Sequence, residues 1–195
     1  MILFTADWHI KLGQKNVPKD WALNRYGLFF EQIHSLETQC EMHIIGGDLF
    51  DRLPSMEELE LYFSFIREVG IPTIIYDGNH EATKKNKTFF TQLKQATRDI
   101  NPLVKIADIS YYDSDLGFSI LPYADLHREG SIEKFISTAP LFTHVRGEIP
   151  PHVKPEVDLD RFEDFPIVFA GDLHAHSNTQ RNIVSVSYTH LRAHE

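Results

Sequence analysis

Short apolar runs that end at an aspartate, asparagine or histidine recur along this chain, and each has the length of a buried strand. Five of them are Ile2–Thr5, His43–Ile45, Thr73–Tyr76, Leu141–Thr143 and Ile167–Phe169. Segments with apolar residues at helical spacing lie between and after the first three runs, at Trp21–Cys40, Ser55–Val69 and Thr88–Thr97. This alternation of strand and helix predicts three β-α units in the first half of the chain.

The second half of the chain has shorter apolar runs, which are separated by turns rich in Asp, Ser and Gly. Further strands are predicted at Val104–Ile106, Ser110–Tyr112, Phe118–Leu121 and Arg181–Val184. A helix is predicted at Ser131–Ser137, and the proline-containing segment Gly147–Pro166 predicts a long loop. The expected fold class is α/β, with a mixed arrangement of strands that forms two packed sheets under helices.

The size and composition of the chain predict one domain. Its 195 residues, 42% of them hydrophobic, suffice for a single buried core, which we expect to span residues 1–184. The β pattern breaks abruptly at Ser187 and the last residues resemble translated sequencing-adapter read-through, so residues 185–195 are predicted to be a non-native tail. We expect no signal peptide and no membrane span, and the single Cys40 fits a reducing compartment. These features predict a cytoplasmic location and no membrane partner.

The net charge of -9 taken alone argues against nucleic-acid binding, because proteins that bind nucleic acids usually carry a basic face. Several cations nevertheless follow the strand ends in three loops. Four of them are predicted substrate contacts, namely Lys11, Arg52, Lys84 and Lys85. The alternative, that these side chains are simply solvated, stays open. Two bound divalent ions would add positive charge at the same edge.

Carboxylate, amide and imidazole side chains follow the five strand ends. They are Asp7, His9, Asp48, Asp51, Asn79, His80, His144, Asp172 and His174. Because the carboxyl ends of strands in an open α/β sheet form the crevice where ligands bind, we expect these side chains to meet at one edge. Oxygen and nitrogen ligands without sulfur exclude a thiolate zinc site and favour a harder divalent ion. The sequence therefore predicts a metal site.

Five motifs resemble those of the calcineurin-like metallophosphoesterase superfamily, namely Asp7-x-His9, Gly47-Asp48-x-x-Asp51, Gly78-Asn79-His80-Glu81, His144 and Gly171-x-x-His174. Within that superfamily, segments 7–14 and 46–55 resemble the SbcD-like DNA exonuclease subunits, which include phage recombination nucleases. The resemblance implies a two-layer β-sandwich flanked by helices. It also implies a centre of two divalent ions, usually manganese, with magnesium or iron as alternatives.

The resemblance implies a ligand set as well. One ion would be held by Asp7, His9, Asp48 and His174, and the other by Asp48, Asn79, His144 and Asp172. His80 would be the catalytic histidine, with Asp51 as its orienting partner. The superfamily usually has a histidine where this chain has Asp172. A carboxylate ligand at this position favours binding of manganese or magnesium. A shifted register that uses His174 and His176 stays an alternative.

The implied activity is metal-dependent hydrolysis of DNA phosphodiester bonds, by an exonuclease or endonuclease subunit in recombination and repair. The implied partners are DNA, a second copy of the chain and a coiled-coil ABC-type ATPase of the SbcC kind. Two alternatives stay open: a phosphoesterase of the same superfamily acting on a phosphoprotein or small nucleotide, and a metal-poor scaffold. Against the first, Leu53 and Asp77 stand where protein phosphatases have a glycine and a phosphate-binding arginine.

Overall fold

The computed structural model describes residues 1–84, 87–135, 138–149, 151–172 and 179–186. Three residues named above lie outside these ranges: the predicted substrate contact Lys85, the predicted ligand His174 and the alternative ligand His176. Residues 187–195 of the predicted tail also lie outside them.

Strands and helices alternate in the first half of the described chain, as the apolar pattern predicts. The strands are β1 (Ile2–Thr5), β2 (Met42–Gly46), β3 (Thr73–Tyr76), β4 (Ala82–Lys84), β5 (Lys87–Thr88), β6 (Val104–Ala107), β7 (Tyr111–Asp113), β8 (Phe118–Leu121), β9 (Leu141–His144), β10 (Val168–Gly171) and β11 (Ile183–Ser185). The helices are α1 (Lys19–Glu37), α2 (Met56–Glu68), α3 (Phe90–Ile100) and α4 (Tyr123–Leu126), with a 3₁₀ turn at Leu159–Phe162. Among the described residues, no helix has the length and apolar character needed to cross a bilayer.

The first sheet is parallel and has the strand order β1-β2-β3-β6. The three long helices α1, α2 and α3 make the connections between its successive strands. A capping box opens α2, because the Ser55 hydroxyl accepts the Glu58 N–H and the Glu58 carboxylate accepts the Ser55 N–H. The helices bury an aromatic cluster in which Phe29 and Phe65 pack edge-on against Trp8. This packing fixes the start of the loop that follows β1.

The second sheet has the order β11-β10-β9-β8-β7, and β7 runs antiparallel to β8 while the other neighbours are parallel. Apolar side chains of the two sheets face each other, and the rings of Phe4 in β1 and Phe142 in β9 lie 5.3 Å apart. These two layers with flanking helices confirm the expected fold class. Strand β11 includes Ser185, and the backbone N–H of Val186 donates to the carbonyl of Ala170 at 2.8 Å. The sheet therefore extends past residue 184, where the sequence predicts the end of the domain.

One predicted helix is wrong. Residues 131–135 of the segment Ser131–Ser137 form consecutive turns, and residues 136–137 lie outside the described ranges. Gly130 has a φ of +68°, and the Ser131 hydroxyl donates to the Leu126 carbonyl at 2.9 Å. A serine side chain that bonds a nearby backbone carbonyl competes with helix formation, which explains the turns.

Three short elements have no counterpart among the predicted ones. They are the hairpin of β4 and β5, the helix α4 and the 3₁₀ turn. Each strand or helix among them has at most four residues, which is too short for a periodic pattern to be recognised.

Candidate metal centre

The loops that follow β1 and β2 run side by side and carry the first candidate ligands. The backbone N–H groups of Asp7 and His9 donate to the carbonyls of Gly47 and Asp48, at 3.0 and 2.9 Å. Strands β3, β9 and β10 run parallel to their neighbours and end at the same edge as β1 and β2. The candidate ligands that the structure describes therefore converge for the reason that the sequence predicts, since parallel strands bring their carboxyl ends together.

Four candidate ligands have a left-handed backbone. The φ angles of Asp7, His9, Asp48 and Asp172 are 56°, 46°, 48° and 94°. In the part of the chain that the structure describes, two other non-glycine residues have positive φ. Such conformations cost energy for residues with a Cβ atom and concentrate at functional sites. The backbone is strained here because its side chains turn towards one point.

Two glycines allow the strand ends to approach closely. A Cβ atom added to Gly78 would lie 2.5 Å from the backbone nitrogen of Asp48, and one added to Gly171 would lie 2.7 Å from Nδ1 of His144. Both distances are shorter than any ordinary contact. Neither position accepts a larger residue unless a candidate ligand moves, which explains why glycine occupies these strand ends.

The amide of Asn79 identifies where a cation fits. One end of this amide lies 2.9 Å from His144 Nε2, 3.1 Å from Asp48 Oδ2 and 3.2 Å from Asp172 Oδ1. If the amide nitrogen occupies that end, its two N–H groups donate to two of these three atoms. If the oxygen occupies it, four lone-pair atoms face one point, and a bound cation is what satisfies them. The donor set therefore fits a divalent ion with oxygen and nitrogen ligands.

Two groups of side chains share Asp48. The donor atoms of His9, Asp48 and His80 lie within 4.8 Å of one another, and so do those of Asp7, Asp48 and His144. Oδ2 of Asp48 is 3.3 Å from His144 Nε2 and 4.0 Å from His9 Nε2. Asp48 is common to both groups, but these groups differ from the ligand set that the resemblance implies, which places Asp7 with His9 and keeps His80 as the catalytic histidine.

The charges around His144 favour a positive charge at the centre. Burial opposes the ionisation of Asp48, but the adjacent imidazole of His144 outweighs it and holds the pKa of this carboxyl well below its usual range. Burial also opposes a charged His144, yet Asp48, Asp7 and Asp172 raise its pKa well above the usual value. Carboxylates on three sides of one imidazole are stabilised by a proton or by a bound cation.

Buried Glu81 joins the loops that follow β2 and β3. Its Oε2 accepts the N–H groups of Asp48 and Gly78 at 2.9 and 2.8 Å, and its Oε1 accepts that of Phe50 at 2.8 Å. Burial and the charge of Asp48 raise the pKa of Glu81 to about 8, while the backbone N–H groups stabilise its charged form. The sequence motif contains Glu81, but its role as a backbone anchor emerges only from the contacts.

His80 lies at the rim of the centre with its side chain 35% exposed. Its Nδ1 is 2.5 Å from the backbone carbonyl oxygen of Asp51, and its Nε2 is 3.9 Å from Asp48 Oδ2. The predicted orienting contact between Asp51 and His80 therefore runs through the backbone of Asp51. The Asp51 carboxylate instead lies 2.6 Å from Lys11 Nζ and 4.0 Å from His9 Nδ1.

The predicted substrate contacts have different surroundings. Lys11 is paired with Asp51, as described above, and Lys84 is exposed on β4. Arg52 binds the buried carboxylate of Glu58 through two nitrogens, at 2.9 and 3.0 Å, beside the start of α2. The guanidinium of Arg52 is thus already held by the fold, although it remains half-exposed.

Sequence reasoning missed three residues next to the centre. Arg146 binds the carboxylate of Asp172, the ring of Tyr123 lies 6.1 Å from that of His144, and Glu156 binds both Arg146 and Tyr123. Arg146 follows a candidate ligand by two positions, which is a signal that could have identified it. Glu156 lies in the predicted loop Gly147–Pro166, where the pattern offers no such signal.

Comparison with known proteins agrees with this geometry. The chain is 38% identical over 186 residues to the probable exonuclease subunit 1 of Escherichia phage T5, an alignment that covers 92% of this chain and 55% of that protein. The chain thus spans about half the length of this relative. The crystal structure of TT1561 from Thermus thermophilus shares the fold, with a TM-score of 0.53, 10% identity, and coverage of 88% of this chain and 80% of that one. The profile of the calcineurin-like phosphoesterase family matches residues 1–174, and the chain belongs to that family.

Proposed function

We propose that this chain is the catalytic domain of a two-metal phosphodiesterase that cleaves DNA, as an exonuclease or endonuclease subunit in recombination and repair. The observation that carries the proposal is the convergence of Asp48 with His144 and Asn79 at one edge of the two sheets. The relative in phage T5 is named an exonuclease subunit, which supports a nucleic-acid substrate over other phosphoesters.

The proposed ions are manganese, with magnesium or iron as alternatives. One would be held by Asp7, His9, Asp48 and His174, and the other by Asp48, Asn79, His144 and Asp172. The clustering of oxygen and nitrogen atoms around Asp48 in the described residues supports a cation site there, whereas the division of Asp7, His9 and the other ligands between two ions stays a proposal. His174 lies outside the described residues and stays a prediction, as does the register that uses His176.

Two divalent ions in such a centre lower the pKa of a water molecule and stabilise charge on the phosphoryl oxygens. The residues of the chain supply the remaining steps. Nδ1 of His80 donates to the Asp51 carbonyl, so Nε2 faces the centre. In the form with a proton on both nitrogens, Nε2 gives its proton to the sugar oxygen, which departs as the oxygen of the attacking water bonds to phosphorus and the phosphorus–sugar oxygen bond breaks. Lys11, Lys84 and Lys85 are proposed to contact the DNA phosphates, and Arg52 would do so only from its exposed side.

The proposed partners are a coiled-coil ABC-type ATPase and a second copy of the chain, and the proposed location is the cytoplasm. The word subunit in the name of the phage T5 relative supports an assembly. Co-expression with a coiled-coil ABC-type ATPase of the SbcC kind, followed by size-exclusion chromatography with light scattering, would test both contacts.

The proposed activity is tested by comparing three substrates in the presence of manganese: duplex DNA, a phosphopeptide and a cyclic nucleotide. We expect cleavage of DNA that is lost in Asp48→Asn and retained in Asp115→Asn, an exposed aspartate in the turn between β7 and β8. Faster hydrolysis of the phosphopeptide or the cyclic nucleotide than of DNA would favour the alternative phosphoesterase. Absence of any hydrolysis together with absence of manganese binding would favour a scaffold.

A further inference from the structure

Arg146 and Asp172 form a two-point ion pair at the edge of the candidate centre. Nε of Arg146 lies 3.2 Å from Asp172 Oδ2, and its Nη2 lies 3.4 Å from Asp172 Oδ1. The Asp172 side chain is only 10% exposed, whereas that of Arg146 is 43% exposed. The pair therefore joins a carboxylate that faces the centre to a guanidinium at its rim.

The two oxygens of Asp172 have different surroundings. Oδ1 lies 3.2 Å from the end of the Asn79 amide and 4.0 Å from His144 Nε2, and it also accepts the longer contact of Arg146, whereas the nearer contact of Arg146 is with Oδ2. A carboxylate has two equivalent oxygens and rotates readily about its side-chain bonds. A partner that contacts both oxygens restricts this rotation and keeps Oδ1 directed at the candidate ligands.

The negative charges of neighbouring carboxylates destabilise Asp172, and a positively charged partner offsets this repulsion. The backbone N–H of Asp172 donates to both carboxylate oxygens of Asp7, at 3.1 and 3.2 Å, and one end of the Asn79 amide lies within 3.2 Å of both the Asp172 and the Asp48 carboxylates. Three carboxylates in this small volume repel one another. Asp172 also has a φ of 94°, so its backbone is strained. The charge of Arg146 offsets part of this cost at the rim.

Arg146 is itself held in place. Its backbone N–H donates to Glu156 Oε1 at 3.1 Å, and the hydroxyl of Tyr123 donates to Glu156 Oε2 at 2.8 Å. The guanidinium is thus carried by a segment that two further side chains fix, rather than by a free loop.

We propose that Arg146 is a positioning residue that holds Asp172 with one oxygen directed at the second metal ion. This inference rests on the proposed function, because it assigns Asp172 to that ion. It predicts that loss of the guanidinium weakens metal binding before any substrate is present. Partners of metal ligands typically contribute about 10- to 100-fold to metal affinity.

The test is calorimetric titration of manganese into chelator-treated protein without DNA, for Arg146→Gln, Arg146→Lys and a control. The control is Arg161→Gln, because Arg161 forms a similar two-point pair with Glu133 on the surface, at 2.7 and 2.9 Å. We expect wild type and Arg161→Gln each to bind two ions, and the affinity at each site to be the same in both proteins. Arg146→Gln should weaken one of them by about 10- to 100-fold, and Arg146→Lys by less. Thermal melting by circular dichroism verifies that each variant is folded.

A double-mutant cycle makes the test specific. Arg146→Gln should weaken manganese binding little further in an Asp172→Asn background, since both changes remove the same contact. An unchanged isotherm for Arg146→Gln would overturn the inference, and so would an unchanged isotherm with a raised KM for DNA, which would make Arg146 a substrate contact. Weakened manganese binding in a protein whose wild type does not cleave DNA would support the inference and refute the nuclease function instead.

Discussion

Nδ1 of His80 lies 2.5 Å from the backbone carbonyl oxygen of Asp51. A carbonyl accepts but does not donate, so it fixes the proton of the imidazole on Nδ1 and leaves Nε2 for the reaction. Nε2 is 3.9 Å from Asp48 Oδ2, which sits between the two groups of candidate ligands. The contact thus presents Nε2 of the imidazole at the rim, where a departing oxygen would leave.

Replacement of this imidazole should separate metal binding from catalysis. We expect His80→Ala to bind two manganese ions like wild type but to lose about 10²- to 10⁴-fold in kcat on DNA, the usual contribution of a general acid. The control is His152→Ala, because His152 is exposed on the loop after β9. Near-normal kcat in His80→Ala would refute the catalytic role.

The side chain of Asp51 should matter less than the predicted catalytic role implies. Since its carbonyl rather than its carboxylate contacts His80, Asp51→Ala keeps the orienting contact and loses the pair with Lys11, at 2.6 Å, and the 4.0 Å approach to His9 Nδ1. We expect the fold-loss of kcat in Asp51→Ala to be smaller than that in His80→Ala by a factor of about ten or more. Equal losses in the two variants would restore the carboxylate as the orienting group.

Gly78 should tolerate no side chain. A Cβ atom there would lie 2.5 Å from the backbone nitrogen of Asp48, so Gly78→Ala must displace the ligand that both ions share. We expect manganese binding and DNA cleavage to be lost together. Gly27→Ala is the matched control, since no atom lies within 4 Å of its added Cβ and it sits inside α1. That change should stabilise the fold by about 0.5–1 kcal/mol in urea unfolding.

Stability should depend on pH through His43, which is buried between Glu37 and Thr5 at 2.7 and 2.9 Å. Burial lowers the pKa of His43 although the nearby Glu37 opposes that shift. Below about pH 6.5 the unfolded chain binds this proton while the folded chain resists it, so stability is present at neutral pH and lost as pH falls. Urea unfolding between about pH 7 and 5 should show a smaller pH slope in His43→Gln than in wild type. Equal slopes would contradict the assignment.

The strand ends could be predicted from sequence because each one combines an apolar run with a polar side chain. Asp7, Asp48 and His144 follow such runs, and a parallel sheet then brings them together whatever the details of the loops. The capping box at Ser55 was equally visible, because it depends on residues three positions apart.

The partners of the loop residues could not be predicted in the same way. Arg52 binds Glu58 rather than facing only solvent, and the carbonyl of Asp51 rather than its carboxylate contacts His80. Both contacts depend on the conformation of the loop after β2. That conformation is fixed by three backbone N–H groups that donate to the buried carboxylate of Glu81. A long-range contact of this kind leaves no periodic signal along the chain.

The central claim is that two ions share Asp48, and anomalous diffraction from a crystal grown with manganese tests it most directly. The account predicts two anomalous peaks about 3.5–4 Å apart, one on each side of the Asp48 carboxylate, with Asn79 and His144 bound to one of them. It also predicts that both peaks weaken in a crystal of Asp48→Asn. A single peak, or peaks that do not contact Asp48, would contradict it.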